Sequence, residues 1–216
     1  LNVSSLLPFL GSIIGIVVFT ITFSIMEGIE GDMENKISNF IPKNKIFIND
    51  LKVDEIISIN NIFNKNNINY FNFEEGKFLI KVNNTYKTLN LIQVDNLNHL
   101  IKSKYHLHTE KFINDNLKFI AGKKMIDNFS NQIEIISTTD INIISGLPKT
   151  YKLDIDGLIS FDFMNFDNNI AFIEREYAIN KNIKFKSNNK YLFIDDEISK
   201  NILFLIKKIN DNIKII

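Results

Sequence analysis

Several residue types on which chemistry depends are missing from this 216-residue chain. Cysteine is absent, which excludes disulfides, thiolate nucleophiles and cysteine metal sites. The chain contains neither a Gly-x-x-x-x-Gly-Lys-Ser/Thr phosphate loop nor a Gly-x-Ser-x-Gly nucleophile elbow. Its 25 basic and 25 acidic residues cancel, and no basic stripe indicates nucleic-acid binding. We therefore expect a non-catalytic protein with no cofactor and no nucleic-acid partner.

Candidate metal ligands are also few. His106 and His108 could place two imidazoles on one face of a strand, but no third or fourth ligand follows at a recognisable spacing, so surface histidines are the simpler interpretation. The sequence therefore predicts no metal site. Four aspartates lack the loop spacing of an EF-hand, and we interpret them as a solvated strand edge: Asp154, Asp156, Asp162 and Asp167.

A long uncharged run extends from Leu6 to Met26. A helix over this run would measure about 30 Å, the thickness of a bilayer's hydrocarbon core. A cleaved signal peptide is the alternative, but its apolar core spans about 7–15 residues and ends in small residues, whereas Met-Glu-Gly-Ile-Glu-Gly-Asp follows here. The pattern favours a retained transmembrane helix. Because the first basic residue after it is Lys36, we expect the large domain outside the cytoplasm.

Apolar residues continue at helical spacing beyond this run until Pro42. We divide the chain into a transmembrane helix with an amphipathic stalk, residues 1–41, and a domain over residues 42–216. Strand–helix–strand units at both ends of the domain enclose a strand-rich middle, which predicts an α+β fold with one subdomain inserted into another. The helices are clearest over Val53–Lys65 and Glu197–Ile209. The apolar face of the second of these helices is predicted to comprise Ile198, Ile202, Leu203, Leu205 and Ile206. The predicted strands are Lys45–Asn49, Tyr70–Phe73, Lys77–Val82, Tyr86–Val94, Leu117–Ile120, Gln132–Ser137, Tyr151–Leu158, Ile170–Ile173 and Tyr191–Asp195.

The apolar helix contains Gly11-x-x-x-Gly15. Small residues four positions apart lie on one helix face and allow a second helix to approach closely, so this pair predicts a helix-packing face. The alternative is that glycine is simply frequent in membrane helices.

A second contact surface is indicated within Thr138–Lys149. This polar-flanked segment holds several apolar or turn-forming residues, although its surroundings predict a loop: Ile143, Ile144, Gly146, Leu147 and Pro148. Exposed apolar residues in a loop often mark a docking surface. The alternative is a hairpin tip that folds back on the domain.

These segments carry a resemblance when they are taken in order. The first is Gly11-Ser-Ile-Ile-Gly15, followed by Ser24-Ile-Met26-Glu-Gly28-Ile-Glu and a stalk that ends in Pro42. Ile120-Ala-Gly122-Lys-Lys-Met125 comes next, and then Leu147-Pro148 with Tyr151–Leu158 and Phe161-Asp-Phe163. This series resembles the lipoprotein-releasing permeases LolC and LolE, whose external part is a MacB-like core domain. The chain departs from the family at Glu27, where Asn is usual, and at Ile29, where Phe is usual.

The resemblance implies a permease subunit in the bacterial inner membrane that extracts lipoproteins and passes them to a periplasmic carrier. It implies a separate cytoplasmic ABC ATPase and a second permease subunit as partners. The periplasmic domain would have a porter-like part, about 42–110 and 175–216, and an inserted sabre-like part, about 111–174. Thr138–Lys149 would be the carrier-docking hook. The residues facing lipid or lipoprotein chains would be Phe19, Phe23 and Met26, unless these simply face bilayer lipid.

Other functions remain open at this point. A MacB-like or FtsX-like ABC permease shares the architecture but handles other cargo or regulates other enzymes. A single-pass anchored binding or sensor module belongs to another class. Three further apolar spans after Ile216 would support a permease, and a stop codon there would favour the anchored module.

Overall fold

A computed structural model of the protein describes residues 3–40, 44–82, 85–105, 109–112, 116–125, 132–161, 164–185, 189–194 and 198–216. The chain divides into two compact units, Leu1–Ile41 and Pro42–Ile216. The first unit is a single helix, α1 (Val3–Phe40), of 38 residues. The predicted stop at Pro42 lies outside the described residues.

Helix α1 has the length and composition of a membrane span. Its segment Gly11–Asp32 covers 22 residues, and none of it is buried within the protein. The hydroxyls of Thr20 and Thr22 donate to the carbonyls of Ile16 and Val18, each at 2.8 Å. These bonds satisfy both hydroxyls within the helix, which suits an apolar environment.

The second unit is built on one sheet of ten strands, which confirms the α+β expectation. Eight strands follow the order β1-β10-β2-β3-β9-β5-β8-β4, and β6 pairs with β2 and with β7. The pairs β3–β9 and β5–β8 are parallel, and the other pairs among the described strands are antiparallel. The bounds are β1 Asn44–Phe47, β2 Tyr70–Val82, β3 Thr85–Val94, β4 Thr109–Phe112, β5 Phe119–Gly122, β6 Gln132–Ile141, β7 Pro148–Asp154, β8 Gly157–Ile159, β9 Ile170–Glu174 and β10 Asn189–Ile194.

Five α-helices of the second unit are described: α2 (Val53–Lys65), α3 (Leu97–Leu100), α4 (Met164–Asn169), α5 (Arg175–Asn180) and α6 (Lys200–Ile209). A π-helical turn at Ile101–Tyr105 follows α3, and a 3-10 turn at Lys123–Met125 follows β5. The start of α2 is fixed by Glu55, whose carboxylate accepts the Lys52 N–H at 2.7 Å. Ser199 caps α6, since its hydroxyl accepts the Ile202 N–H at 3.4 Å. α2 follows the predicted bounds, whereas α6 begins three residues later than predicted.

Two apolar clusters within the described residues bear on the position of the site. The smaller lies where α2 and α6 cover β1 and β10, with Ile59, Phe63 and Ile206 from the helices packed against Leu192 and Ile194. The larger joins side chains of β2, β3, β5, β6, β7 and β9, and it contains Phe78, Ile80, Leu89, Leu91, Phe119, Ala121, Ile133, Ile135, Leu153, Ala171 and Ile173. Alternation along a strand places every second side chain on one face, so Phe78 and Ile80 enter the larger cluster together and Leu192 and Ile194 enter the smaller one together.

Strand β2 differs from the prediction, which placed two strands around Glu75–Gly76. In the structure β2 is continuous, and Gly76 pairs with Leu91 of β3. An added Cβ at Gly76 would lie 2.8 Å from the ring of Phe185. The glycine therefore provides room for an aromatic ring that crosses the strand rather than a turn.

The division of the domain into porter-like and sabre-like parts stays a prediction. Hydrogen-bonded ladders cross its proposed boundaries, because β9 pairs with β3 and β6 pairs with β2. Both parts therefore share one sheet.

Candidate functional site

The segment predicted as a docking hook forms the tip of a β-hairpin. β6 and β7 pair from Gln132↔Asp154 to Ile136↔Thr150, and the register becomes irregular before Ile141↔Pro148. Ile133 and Ile135 of β6 are buried with Leu153 of β7. The root of the hairpin is therefore part of the larger core.

The hairpin is also fixed to the neighbouring strand. β6 pairs with β2 at Phe78↔Ser137, Leu79↔Ile136 and Ile80↔Ile135. Just beyond this ladder, the Thr138 hydroxyl donates to the Lys77 carbonyl at 2.7 Å. These bonds therefore fix the orientation of the hairpin relative to β2.

A polar cluster lies between the root and the tip. The Asp140 carboxylate accepts from Lys149 Nζ at 3.0 Å and from the Tyr151 hydroxyl at 3.2 Å. The hydrogen bond from Lys149 holds the pKa of Asp140 below its usual value, although partial desolvation opposes it. Burial, followed by the contact with Asp140, raises the pKa of Tyr151 to about 12. These side chains join the two strands across the irregular register.

The backbone next to this cluster is also bonded. The Ser137 hydroxyl accepts from the N–H groups of Thr139 at 3.2 Å and Asp140 at 2.8 Å. Side-chain bonds of this kind replace ladder bonds where a strand bends. No local pattern indicates this cluster, because Asp140, Lys149 and Tyr151 are brought together only by the hairpin register.

The tip is closed by its own hydrogen bonds. The Gly146 N–H donates to the Asn142 carbonyl at 2.8 Å, and the Asn142 N–H donates to the Leu147 carbonyl at 2.9 Å. The Asn142 side chain accepts the Ile144 N–H at 3.0 Å. Gly146 has a φ of 69°, in the left-handed region that favours glycine. The tip has a defined turn conformation.

This turn leaves its apolar side chains in solvent. Ile143 is 99% exposed, Ile144 98% and Leu147 65%, and Ile141 at the end of β6 is 55% exposed. The tip does not fold back on the domain, which was the alternative considered from the sequence. Ile141 was not among the predicted hook residues. We call the side chains of Ile141, Ile143, Ile144 and Leu147 the apolar tip.

The predicted residues of α1 share one side of that helix. Gly11, Gly15, Phe19 and Phe23 follow each other at intervals of four residues, so they form a single row that winds slowly around the helix. An added Cβ at either glycine would meet nothing within 4 Å. The rings of Phe19 and Phe23 stack with centroids 6.2 Å apart, and Met26 is exposed. The row therefore has no side chains at its glycine positions and large apolar side chains at its phenylalanine positions.

The acidic residues do not form a solvated edge, so that interpretation was wrong for two of them. Asp156 is buried and accepts the N–H groups of Lys118 at 2.9 Å and Phe119 at 3.0 Å. Asp167 is buried and accepts from the Phe161 N–H at 2.7 Å and the Ser160 hydroxyl at 3.1 Å. Both carboxylates satisfy backbone donors next to short strands. Asp162 lies outside the described residues.

The histidines were the remaining candidate metal ligands. Among the described residues no group of three or more histidine, aspartate or glutamate side chains is placed to hold a metal. His99 packs beside the ring of Phe71, with centroids 5.3 Å apart. His106 and His108 lie outside the described residues.

No family model and no curated protein matches this chain. The periplasmic region of MacB from Actinobacillus actinomycetemcomitans is a similar solved structure, with a TM-score of 0.50 and 13% identity over 86% of this chain and 93% of that one. The extracellular domain of the ABC-type transporter YknZ from Gram-positive bacteria has a TM-score of 0.44 and 11% identity, over 78% of this chain and 92% of that one. At 13% identity the MacB likeness concerns the fold alone. The protein has the α+β fold of a MacB periplasmic region, as the sequence predicted.

Proposed function

We propose that this chain is the first membrane span and the external domain of a permease subunit in an ATP-driven transporter that releases lipoproteins from the bacterial inner membrane. One observation carries the proposal: a rigid hairpin in a MacB-like fold presents an apolar tip to solvent. The apolar helix Gly11–Asp32 and the ordered resemblance to LolC and LolE support it.

The apolar tip acts as a docking hook for a periplasmic lipoprotein carrier. Fully burying one Leu or Ile side chain contributes about 1.5–3 kcal/mol, so Ile143, Ile144 and Leu147 together offer several kcal/mol to a partner with a matching groove. Association also costs rotational and translational freedom, which limits the net affinity. Such a contact suits a carrier that binds, loads and leaves.

The row on α1 serves the cargo and the second subunit. Exposing acyl chains to water costs about 0.8 kcal/mol per CH₂, so lipid chains leaving the bilayer need an apolar shelter. Phe19, Phe23 and Met26 contribute to this shelter, while Gly11 and Gly15 allow a helix of the second permease subunit to approach. ATP hydrolysis belongs to a separate cytoplasmic ABC ATPase, and this chain performs no bond chemistry.

Site-specific photo-crosslinking tests the hook. A photoreactive residue replaces Ile144 in the full-length protein, and the purified carrier is added. We expect a carrier adduct that Leu147→Asp or Ile143→Asp abolishes, without loss of folding, because both side chains are exposed. Pro148→Gly, which loosens the start of β7, should weaken the adduct as well.

The matched control uses another exposed isoleucine. Ile179 on α5 is 63% exposed and lies outside the hairpin. A photoreactive residue at Ile179 should give no carrier adduct, and Ile57→Asp on α2 should leave the Ile144 adduct unchanged. Equal adducts from Ile144 and Ile179 would remove the hook from the proposal.

The cargo is tested separately. Proteoliposomes with the full-length subunits and the ATPase are loaded with an acylated lipoprotein, and ATP-dependent transfer to the carrier is measured. We expect transfer that stops without ATP. ATPase stimulation without lipoprotein transfer would favour a MacB-like permease with other cargo, which the MacB likeness supports equally well.

A further inference from the structure

Helix α6 carries more apolar surface than the core uses. Ile206 is buried, and Ile202 and Ile209 pack partly buried against the cluster beneath the helix. Phe204 is nevertheless 70% exposed, and Leu205, which was predicted to lie on the buried face, is 44% exposed. Because the inward face is already filled, the outward apolar residues are not explained by packing within the domain.

Phe204 borders a groove of about 500 Å³. Lys200, Leu203, Phe204 and Lys207 line one side, at helical positions i, i+3, i+4 and i+7. The last residues of the chain, Ile213, Lys214 and Ile215, line the other side. The groove therefore combines an apolar floor with lysines on both walls.

The charged side chains that line the groove are all basic: Lys200, Lys207 and Lys214. Residues 198–216 contain four lysines and a single acidic residue, Asp211. Lys214 is exposed, and its Nζ lies 5.4 Å from the centre of the Phe47 ring, within cation–π distance. An apolar surface rimmed by lysines matches an anionic amphiphile rather than a neutral peptide.

The groove adjoins the strand that follows α1 in the chain. Ile215 bridges Ile46 of β1, and the Lys45 N–H donates to the Ile216 carbonyl at 2.7 Å. β1 begins at Asn44, only four residues after α1 ends at Phe40. The groove is therefore covalently attached, through the stalk, to the apolar helix, so its encounter with a membrane that the helix spans is intramolecular.

We propose that this groove is a docking surface for anionic phospholipid at the membrane surface. Lys200, Lys207 and Lys214 contact lipid phosphates, and Leu203 and Phe204 enter the boundary between headgroups and acyl chains. The proposal rests on the membrane anchoring proposed above. It adds a second, reversible contact through which the external domain senses the bilayer from which cargo is taken.

Fluorescence quenching tests this surface in the full chain. The absence of cysteine allows one label at Asn201→Cys, an exposed position on α6 outside the groove lining. The labelled protein is placed in nanodiscs of brominated phosphatidylcholine, with or without phosphatidylglycerol. We expect stronger quenching in the anionic discs and its loss at high salt, because the lysines are screened.

Two charge variants sharpen the test. Lys200→Glu, Lys207→Glu and Lys214→Glu together should reduce quenching in anionic discs to the level in zwitterionic discs. The matched control changes three exposed lysines elsewhere, Lys81→Glu, Lys87→Glu and Lys124→Glu, and should leave quenching unchanged. Phe204→Ser should lower quenching while salt sensitivity remains.

The outcomes are distinct from those for the proposed function. Equal quenching in both disc types, or an equal effect of both triple variants, would overturn the lipid surface. A response of the label to inorganic phosphate in zwitterionic discs, without a phosphatidylglycerol effect, would overturn it in favour of a small-anion site. Failure of the chain to enter any disc would instead contradict the membrane anchoring.

Discussion

The root and the tip of the β6–β7 hairpin use the same residue types for opposite purposes. In the root, Ile133, Ile135 and Leu153 are buried and their neighbours along each strand are more exposed. At the tip, Ile143 and Ile144 are adjacent in the chain and both almost fully exposed. Two adjacent residues of a strand could not face solvent together while one face packs on a core, so the turn conformation itself produces this exposure.

This difference separates stability from interaction. Burial of the root side chains stabilises the folded domain. The tip side chains stay exposed after folding, so they do not stabilise the domain and they add apolar surface in contact with water. A partner is the physical reason to retain them. Substitutions in the root and in the tip should therefore affect different measurements.

Removing a root side chain should have the largest effect on stability. Ile135 is fully buried, so Ile135→Ala removes buried methylenes and leaves a cavity. We expect it to lower the free energy of unfolding by about 3 kcal/mol, within a usual range of 2–5. Ile143→Ala should change it by less than about 0.5 kcal/mol.

Urea unfolding of the full chain in detergent, followed by circular dichroism, compares the two variants. The slope of the unfolding free energy against urea should stay the same for both. A loss from Ile143→Ala as large as that from Ile135→Ala would mean that the tip is packed, and the comparison between root and tip would fail.

The sequence predicted the root because its signal is local. Alternation over Gln132–Ser137 indicates a strand with one buried face, and β6 begins at Gln132 as predicted. The strand continues to Ile141, beyond the predicted end, because pairing with β7 and the Thr138 bond to Lys77 extend it. Those partners are distant in sequence, so the local pattern could not show whether the tip folds back or projects.

Other errors have the same origin. Two separate strands were predicted around Glu75–Gly76 because nothing nearby in sequence shows that the ring of Phe185 lies against Gly76. Asp156 and Asp167 were interpreted as solvated because the backbone donors they satisfy come from separate segments. Leu205 was placed on the buried face of α6, although the core beneath is filled by Ile202, Ile206 and Ile209. The spacing of apolar residues predicts where helices and strands lie. Which residue packs against each of their faces depends on the tertiary fold.

Two glycines extend the comparison to the backbone. Gly122 of β5 belongs to the body of the domain, and an added Cβ there would lie 2.3 Å from the Asp167 carbonyl oxygen. Gly122→Ala should therefore cost about 2 kcal/mol through overpacking. Gly146→Ala at the tip meets nothing within 4 Å but retains the positive φ, so we expect about 1 kcal/mol of local strain.

Replacement by asparagine distinguishes these two causes. Asparagine tolerates the left-handed conformation better than alanine, so Gly146→Asn should recover part of the loss from Gly146→Ala. Gly122→Asn should be worse than Gly122→Ala because it adds volume. Thermal unfolding of the four variants provides the ranking, and recovery at Gly122 would contradict the packing explanation.

The smallest expected effect concerns the cluster between root and tip. The pKa of Asp140 lies below its ordinary value of 3.8, so its bonds to Lys149 and Tyr151 stabilise the hairpin at neutral pH and are lost as pH falls through the lowered pKa. The pKa of Tyr151 is raised from 10.0 to about 12, so this contribution is present below pH 10 and is lost as pH rises toward 12.

Asp140→Asn should lower the pKa of Tyr151 but leave it above 10, because burial is the larger cause. Phenolate absorbance, taken as the difference from a matching Tyr151→Phe variant, measures this shift, and Tyr86→Phe serves as the exposed control. An unchanged pKa of Tyr151 in Asp140→Asn would mean that the carboxylate does not join the two strands. The part of the hairpin held by bonds between its strands would then end at Ser137 and would not reach the apolar tip.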